Sequence, residues 1–231
     1  MTETSIIAGA YNIGNCFSFE RSINSILSQT YTDFEFIICD DGSDDDTWAL
    51  LTAFAGKDPR IRLIRNERNL GLAASLDRCI DISRGKFIAR HDCDDYSAPD
   101  RLEKQIAYLK AHGEVALLGC NAYLFDQNGV WGRETFPENV GSRDFLFRSP
   151  YKHGSVVFRR EALLKAGCYR VARETYRVED YDLFMRMQEF CRGENLSDFL
   201  YYFCEDKNAK KRRKYRYRID EAKIRLKGFK G

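Results

Sequence analysis

Through the first half of the chain, short apolar runs alternate with stretches in which apolar residues recur every three or four positions. Residues 5–8 read as a short buried strand, and Phe19, Ile23, Ile26 and Leu27 then share one helical face. Residues 34–39 are strand-like. Asp44, Asp45 and Asp46 follow, offering caps and favourable first-turn charge for a helix over 47–54. Residues 61–64 predict the next strand, and Leu72, Leu76, Cys79 and Ile80 the next helical face. Residues 86–89 begin a further strand, and Pro99 is placed to start a helix running to about Ala111. Repeated strand–helix alternation predicts βαβ units and a parallel sheet, an α/β fold.

The second half is less regular. Residues 115–119 read as a strand, and Asp126-Gln127-Asn128-Gly129 as a turn closing a hairpin. Residues 132–150 are polar with Gly and Pro and read as loop. Residues 155–158 predict a strand, 160–166 a short helix, and 181–190 a helix with Leu183, Met187 and Phe190 on one face. The compact region is predicted to end near Cys204.

Composition narrows the class. The 231 residues are 44% hydrophobic and 31% charged, a globular balance. Residues 1–5 lack the charged-then-apolar pattern of a secretory signal, and no run approaches the roughly 20 apolar residues that span a bilayer. The eight cysteines are scattered without a CxxC pair, which predicts a reducing cytoplasm, no structural disulfide and no zinc site. The net charge of +2 conceals an asymmetry. Residues 207–231 carry twelve Lys or Arg against two acids, so this tail holds +10 and residues 1–206 hold −8. Tyr215, Ile219, Ala222, Leu226 and Phe229 would form one apolar seam on a helix in that tail. Such a seam could pack back on its own domain, pair with another chain, or lie on an anionic membrane surface. The acidic body argues against nucleic acid as a partner.

Candidate chemistry lies at strand ends, where open α/β sheets bind ligands. The first strand runs into Ala10-Tyr11-Asn12, the second into Asp40-Asp41-Gly42-Ser43, and the strand from Lys86 into His91-Asp92-Cys93-Asp94-Asp95. Asp92 and Asp94 are two apart, so in extended backbone both carboxylates point to one side. Two such carboxylates suit a hard divalent cation that completes its shell with water and substrate phosphate. By themselves they are equally a solvated acidic loop. Asp40 and Asp41 also fit a tight turn with a helix cap, and Tyr11 also fits an ordinary strand-end aromatic. Glu179-Asp180 opens the last predicted helix, where a carboxylate either compensates the dipole or serves as general base. His153 has no ligand partner at a recognised spacing and reads as a packed, hydrogen-bonding residue.

Taken in order, these segments resemble the family 2 glycosyltransferases with a GT-A fold. The resemblance covers roughly residues 4–204. It rests on Ser5-Ile6-Ile7-Ala8-Gly9-Ala10-Tyr11-Asn12, Ser25-Ile26-Leu27-Ser28-Gln29-Thr30-Tyr31, Asp40-Asp41-Gly42-Ser43 and Asn69-Leu70-Gly71-Leu72. It continues through Asp92-Cys93-Asp94-Asp95, Pro99-Asp100-Arg101-Leu102, His153-Gly154-Ser155 and Glu179-Asp180-Tyr181-Asp182-Leu183. The resemblance implies a Rossmann-like, mostly parallel sheet flanked by helices, with a smaller mixed acceptor-side region and the basic helical tail. Residues 1–206 would be one domain, with a nucleotide-binding half at 1–95 and an acceptor half at 96–206. It further implies that Tyr11 and Asp40 contact the nucleotide base, with Ala10, Asn12, Asp41, Asn69, Gly71 and Cys93 completing the nucleotide site. Asp92 and Asp94 would hold Mn²⁺ or Mg²⁺ with the donor diphosphate. Asp180, beside Glu179, would be the base in an inverting transfer.

The implied donor is a nucleotide-diphosphate sugar, UDP first, and the acceptor a saccharide or lipid-linked hydroxyl in envelope polysaccharide or glycolipid synthesis. The enzyme would be cytoplasmic, at the inner face of the membrane. Gly9 stands where family members often carry Pro. No Gln-x-x-Arg-Trp follows, which predicts single-sugar transfer. Cys204-Glu205-Asp206 replaces a His-containing loop. A sugar-nucleotide pyrophosphorylase would show a basic Gly-rich loop after the first strand, and a non-catalytic sugar-nucleotide-binding scaffold would lack the metal or base carboxylates; neither matches these residues.

Overall fold

A computed structural model describes residues 2–146 and 148–205, so the predicted tail helix lies outside the described residues. Four strands form the parallel half of the sheet: β1 (Thr4–Ala10), β2 (Phe34–Asp40), β3 (Ile61–Arg65) and β4 (Phe87–Arg90). β1 pairs in parallel with both β2 and β4, and β2 with β3, so Ala10, Asp40 and Arg65 lie side by side at one sheet edge. The helices between them are α1 (Phe19–Leu27), α2 (Thr47–Ala55) and α3 (Leu72–Ile82). The expected βαβ order is therefore present.

The strands read as mostly apolar runs because both faces are covered. Ile6, Ala8, Phe36 and Ile38 pack on one side with Ile23, Ile26 and Leu51. Ile7, Ile37 and Cys39 pack on the other with Leu76, Cys79 and Ile80. Neighbouring residues in one strand thus serve opposite layers, as the two-residue strand period requires.

The second half extends the same sheet. The remaining strands are β5 (Tyr96–Ser97), β6 (Val115–Asp126), β7 (Gly129–Glu134), β8 (Val157–Arg159) and β9 (Arg192–Cys204), and the order is β3-β2-β1-β4-β8-β6-β9-β5 with β7 on β6. The helices are α4 (Arg101–Ala111), α5 (Arg160–Lys165) and α6 (Glu179–Gln188). Among the described residues no helix is long and apolar enough to cross a membrane.

Several boundaries differ from the sequence expectations. The strand expected over 115–119 continues to Asp126 and forms the hairpin with β7, so the expected loop begins only after Glu134. Ser155 belongs to a 3₁₀ turn, His153–Ser155, and the strand follows it. α4 starts at Arg101, two residues past Pro99. α6 starts two residues earlier than expected, because Glu179 and Asp180 already have helical geometry. Asp46 sits at the α2 N-cap without a side-chain bond. Asp45 bonds instead, accepting the Thr47 N–H at 3.0 Å and the Gly14 N–H at 2.8 Å.

Candidate active site

The loops after β1 and β2 are tied to each other. Asn12 has φ +50, a left-handed conformation that Asn tolerates better than most residues. Its N–H donates to Ser43 Oγ at 3.0 Å, and its own Oδ1 accepts the Asp44 N–H at 3.1 Å. Asp40 is fully buried. Its Oδ1 accepts the Ser43 N–H at 3.1 Å, and its Oδ2 lies 2.8 Å from Arg65 Nε. Asp41 turns the other way. It accepts from Asn66 Nδ2 at 2.6 Å, from the Leu70 N–H at 2.9 Å and from the Gly71 N–H at 2.8 Å. One carboxylate thereby fixes the 69–71 loop. Gly42, with φ +70, lies so close to Arg68 that a Cβ would fall 2.5 Å from the Arg68 carbonyl carbon.

Above these loops lies a cavity of about 620 Å³. Ala10, Tyr11, Asp41, Asn69 and Gly71 line one wall, with Tyr11 46% exposed. Residues 170–173, 175–177 and Glu179 line the other. Five residues expected at the nucleotide are therefore gathered here. Asn12 pins loops beside the cavity rather than lining it, and Asp40 lies beneath it: as the last residue of β2 it faces inward, and the alternation leaves Asp41 facing the cavity.

The acidic loop departs from the extended backbone expected from the sequence: it turns at Cys93 and Asp94, with the Asp95 N–H donating to the Asp92 carbonyl at 3.1 Å. Cys93 is buried, and burial pushes its thiol up. Asp94 is exposed and Asp92 half-buried, while Asp95 is fully buried with its Oδ1 accepting the Cys204 N–H at 2.7 Å. Serines of α1 hold the loop backbone: Ser18 Oγ donates to the Asp94 carbonyl at 2.5 Å and Ser22 Oγ to the Asp92 carbonyl at 3.1 Å. The Asp92 N–H donates to Tyr201 Oη at 3.1 Å. The Asp92 carboxylate meets a fully buried guanidinium, Arg90 Nη2, at 2.5 Å. Partial desolvation, then the Asp92 charge, pushes the Asp94 carboxyl up to about 6. Burial, then the charges of Asp94 and Asp92, pushes Asp95 well above the usual range. Asp92 and Asp94 are hard oxygen donors that keep solvent access. Among the described residues no three His, Cys, Asp or Glu side chains gather as a metal centre, so a cation held by this pair would need water and substrate phosphate to complete its shell.

At the start of α6, burial raises the Asp180 carboxyl, and the charge of Asp92 raises it further, so the two carboxylates are within electrostatic reach. Burial, then Asp180, pushes Glu179 up to about 7. Asp182 anchors the helix start: it pairs with Arg170 Nη1 at 3.0 Å and Arg186 Nε at 2.9 Å. His153 is half-buried, its Nε2 is 2.7 Å from Tyr169 Oη, and desolvation holds its pKa well below the usual value. It is the packed residue that the sequence suggests.

Sequence reasoning missed Arg90 and the 170–177 wall. For Arg90 a signal existed, a lone cation inside an apolar strand one residue before the acidic loop. For the wall there was none, because its residues reach the cavity only through the fold.

Asp77 of α3 fastens the start of that wall, accepting the Tyr169 N–H at 3.0 Å. Burial raises its carboxyl to about 6. A carboxyl with its folded value above its unfolded value binds extra proton in the folded state, so its cost to stability is full above pH 6 and disappears as pH falls toward 4. Asp77→Asn keeps an acceptor and removes the charge. It is expected to gain about 1 kcal/mol at pH 8 and nothing at pH 4.5, read from urea midpoints. An equal shift at both pH values would remove the charge from the explanation.

The family described as glycosyl transferase family 2 matches residues 5–177. The glycosyltransferase EpsE of Bacillus subtilis (strain 168) is 40% identical over 222 residues, covering 95% of this chain and 79% of that protein. The Escherichia coli WfaP, named as a UDP-Glc:α-D-GlcNAc-diphosphoundecaprenol β-1,3-glucosyltransferase, is 29% identical, covering 87% and 77%. The crystal structure of S. aureus TarS 1-349 with UDP-GlcNAc superposes with a TM-score of 0.73 at 22% identity, covering 89% of this chain and 59% of that one. The fold is thus that of GT-A glycosyltransferases, and the pyrophosphorylase and scaffold readings fall away: this chain is an enzyme of the family 2 glycosyltransferases.

Proposed function

We propose that the enzyme transfers one sugar, with inversion, from a UDP-sugar to a hydroxyl of a saccharide or lipid-linked acceptor. What supports this is that Tyr11, Asp41 and Glu179 line one cavity, while Asp180, next to Glu179, lies within electrostatic reach of Asp92. Tyr11 and Asp41 hold the base, with Asp40 supporting the loop from below. Asp92 and Asp94 fit a divalent cation, Mn²⁺ or Mg²⁺, as two solvent-accessible hard ligands on a fixed loop. Bound there, the cation would neutralise charge growing on the leaving diphosphate.

Asp180 takes the proton of the acceptor hydroxyl. That oxygen then bonds the anomeric carbon while the bond from this carbon to the diphosphate oxygen breaks, and the nucleoside diphosphate leaves with both electrons. Burial raises the Asp180 carboxyl, which strengthens it as a base. Glu179, pushed up to about 7, can carry a proton near neutral pH and so spares Asp180 a second adjacent charge. A UDP donor accords with what the names of WfaP and the TarS complex state for those proteins, and the WfaP name favours a diphosphate-linked lipid acceptor. Such an acceptor places the work at the cytoplasmic face of a membrane, with residues 207–231 as the contact to membrane or to a second chain and residues 1–206 as the working domain.

Nucleotide binding to the folded state raises the melting temperature by mass action. UDP with Mn²⁺ should raise it by several degrees, and by more than UDP alone. Asp94→Ala should erase the metal-dependent part and keep the rest. A melt that no nucleoside diphosphate shifts, with or without metal, overturns the proposal.

A further inference from the structure

A second cavity lies at the edge of the sheet opposite the candidate active site. It measures about 450 Å³ and is lined by Arg84, Lys86 and Phe87 at the start of β4, and by Arg159, Arg160 and Leu164 where β8 runs into α5. β4 leads away from it toward Arg90 and the acidic loop, so this cavity and Asp92 lie at opposite ends of one strand.

Four cations meet one acid in the lining, Glu161. Residues 1–206 carry a net −8, and elsewhere Arg62, Arg65, Lys104 and Lys110 each hold a carboxylate. Arg159 is committed, donating to the carbonyls of Val115, Leu109 and His112. Arg84, Lys86 and Arg160 are different. Among the described residues none of these three side chains has a hydrogen bond or an ion pair, and the Arg160 Nε is buried without a partner. Glu3, within the field of Lys86, is held by Lys110 and by Tyr31 Oη, each at 2.7 Å. Gathering like charges and partly desolvating one of them costs free energy, and no counter-charge in the described chain offsets it.

The backbone fixes where these cations stand. The Arg84 N–H donates to Glu35 Oε1 at 2.8 Å, the Gly85 N–H to Ser5 Oγ at 2.9 Å, and the Arg160 N–H to the Lys86 carbonyl at 2.9 Å. A Cβ at Gly85 would fall 2.5 Å from the Ser5 nitrogen, so the bend before β4 fits closely against β1.

We infer that this cavity binds a phosphate group, at a site separate from the glycosyl-transfer cleft. Two guanidiniums and an ammonium around one hollow match the charge and the several acceptor oxygens of a phosphate monoester or a diphosphate. Each guanidinium fork can pair with two of those oxygens at once. A lone carboxylate offers one charge and two oxygens, too few for three cations. Leu164, 47% exposed, completes the lining with an apolar surface. The phosphate therefore has two sources: a soluble phosphorylated molecule, or the headgroup of an anionic lipid whose acyl region meets Leu164. The inference holds whichever donor and acceptor the cleft uses.

The test uses the full chain as wild type, as Arg84→Gln with Lys86→Gln, and as Arg160→Gln. A chelator is present so that no divalent cation draws phosphate to the acidic loop. Pyrophosphate is titrated by calorimetry, and co-sedimentation is measured with phosphatidylcholine vesicles with and without phosphatidic acid. Arg84 and Lys86 are exposed, so the double variant should melt with the wild type. It should bind phosphate at least about tenfold more weakly, and Arg160→Gln about three- to tenfold more weakly. Lys57→Gln removes an exposed cation outside the cavity, reads the effect of net charge alone, and should change binding less than about twofold. Residues 207–231 are common to every variant, so differences between variants read the cavity. A loss with pyrophosphate alone assigns the site to a soluble phosphate, a loss with vesicles alone to a lipid headgroup, and a loss with both to the phosphate group itself. Wild-type binding of both probes by both cavity variants overturns the inference, as does an equal loss in Lys57→Gln or a wild-type protein that binds neither probe. Should Arg160→Gln fail to fold, the double variant gives the same decision. UDP binding with Mn²⁺ should be the same in every variant, and its loss would overturn a separate site.

Discussion

Replacing Asp180 by Asn is expected to abolish sugar transfer, by a factor of about 10³ or more, while UDP binding changes less than twofold. The side chains are nearly the same size, so α6 should keep its helical start and the Asp182 pairs with Arg170 and Arg186 should survive. What disappears is a proton acceptor. General base catalysis typically contributes about 10²–10⁴ in rate, and an amide cannot take its place. In the proposed site donor binding rests on other residues, at Tyr11, Asp41 and the acidic loop, hence the expected split. Removing the Asp180 charge also relieves Asp92 and Glu179, both within its field, so the variant should melt no lower than the wild type. Glu179→Gln provides the contrast. Glu179, pushed up to about 7, is charged only part of the time at pH 7, and its loss should cost transfer tenfold at most. Single-turnover transfer and nucleotide melts on both variants decide the matter. Retained transfer by Asp180→Asn would remove Asp180 from the base role, and equal losses in the two variants would make the pair act together.

The halves of the fold differ in how openly the sequence displays them. β1, β2 and β4 are covered on both faces, so each is mostly apolar, interrupted only by side chains with buried partners such as Ser5 with Glu35 and Arg90 with Asp92. The acidic loop was legible as a polar strand end but not in its shape: the chain turns at Cys93 and Asp94 instead of running extended, with Cys93 buried and Asp94 exposed. β9 was not legible. It carries Arg192, Glu194, Asn195, Ser197 and Asp198, and its pairing with β6 shifts register around Cys120 and Asn121. Those shifts break the two-residue period that identifies a strand. β5 is only two residues long and exists because Tyr96 and Ser97 meet Tyr202 and Tyr201 across the sheet. The choice between Asp40 and Asp41 fails at still finer scale. They are adjacent at the end of one strand and both are buried, and only the paired positions of Arg65, Asn66 and the 70–71 amides show which of them lines the cavity. Identity of residue type was readable; the partner that sets its orientation lies on another strand.

Arg90→Met should cost about 2–3 kcal/mol of stability at pH 8, and clearly less at pH 6. The guanidinium is fully buried, donating to Asp92 Oδ1 and to the His91 carbonyl, with its Nε left without a partner. Methionine fits the volume and removes the burial cost of the cation. It also strands the carboxylates. Breaking a buried pair typically costs about 3–5 kcal/mol, and Asp92 keeps 24% of its side chain in water, which places the loss at or below the lower end. Arg90 also favours the charged forms of Asp94 and Glu179, whose carboxyls already sit at about 6 and about 7. Without that cation both values climb further. Their folded values lie above their unfolded ones, so the folded variant takes up protons as pH falls from 8 to 6 and recovers stability that the wild type never lost. Urea titrations at the two pH values read this directly. Arg90→Lys is the control: it keeps the charge, lacks the two-pronged reach, and should show a smaller loss with little pH dependence. A loss in Arg90→Met that is equal at pH 8 and pH 6 would assign Arg90 to packing alone. A pH-dependent loss would identify it as the buried counter-ion that lets this enzyme crowd its carboxylates around one cleft.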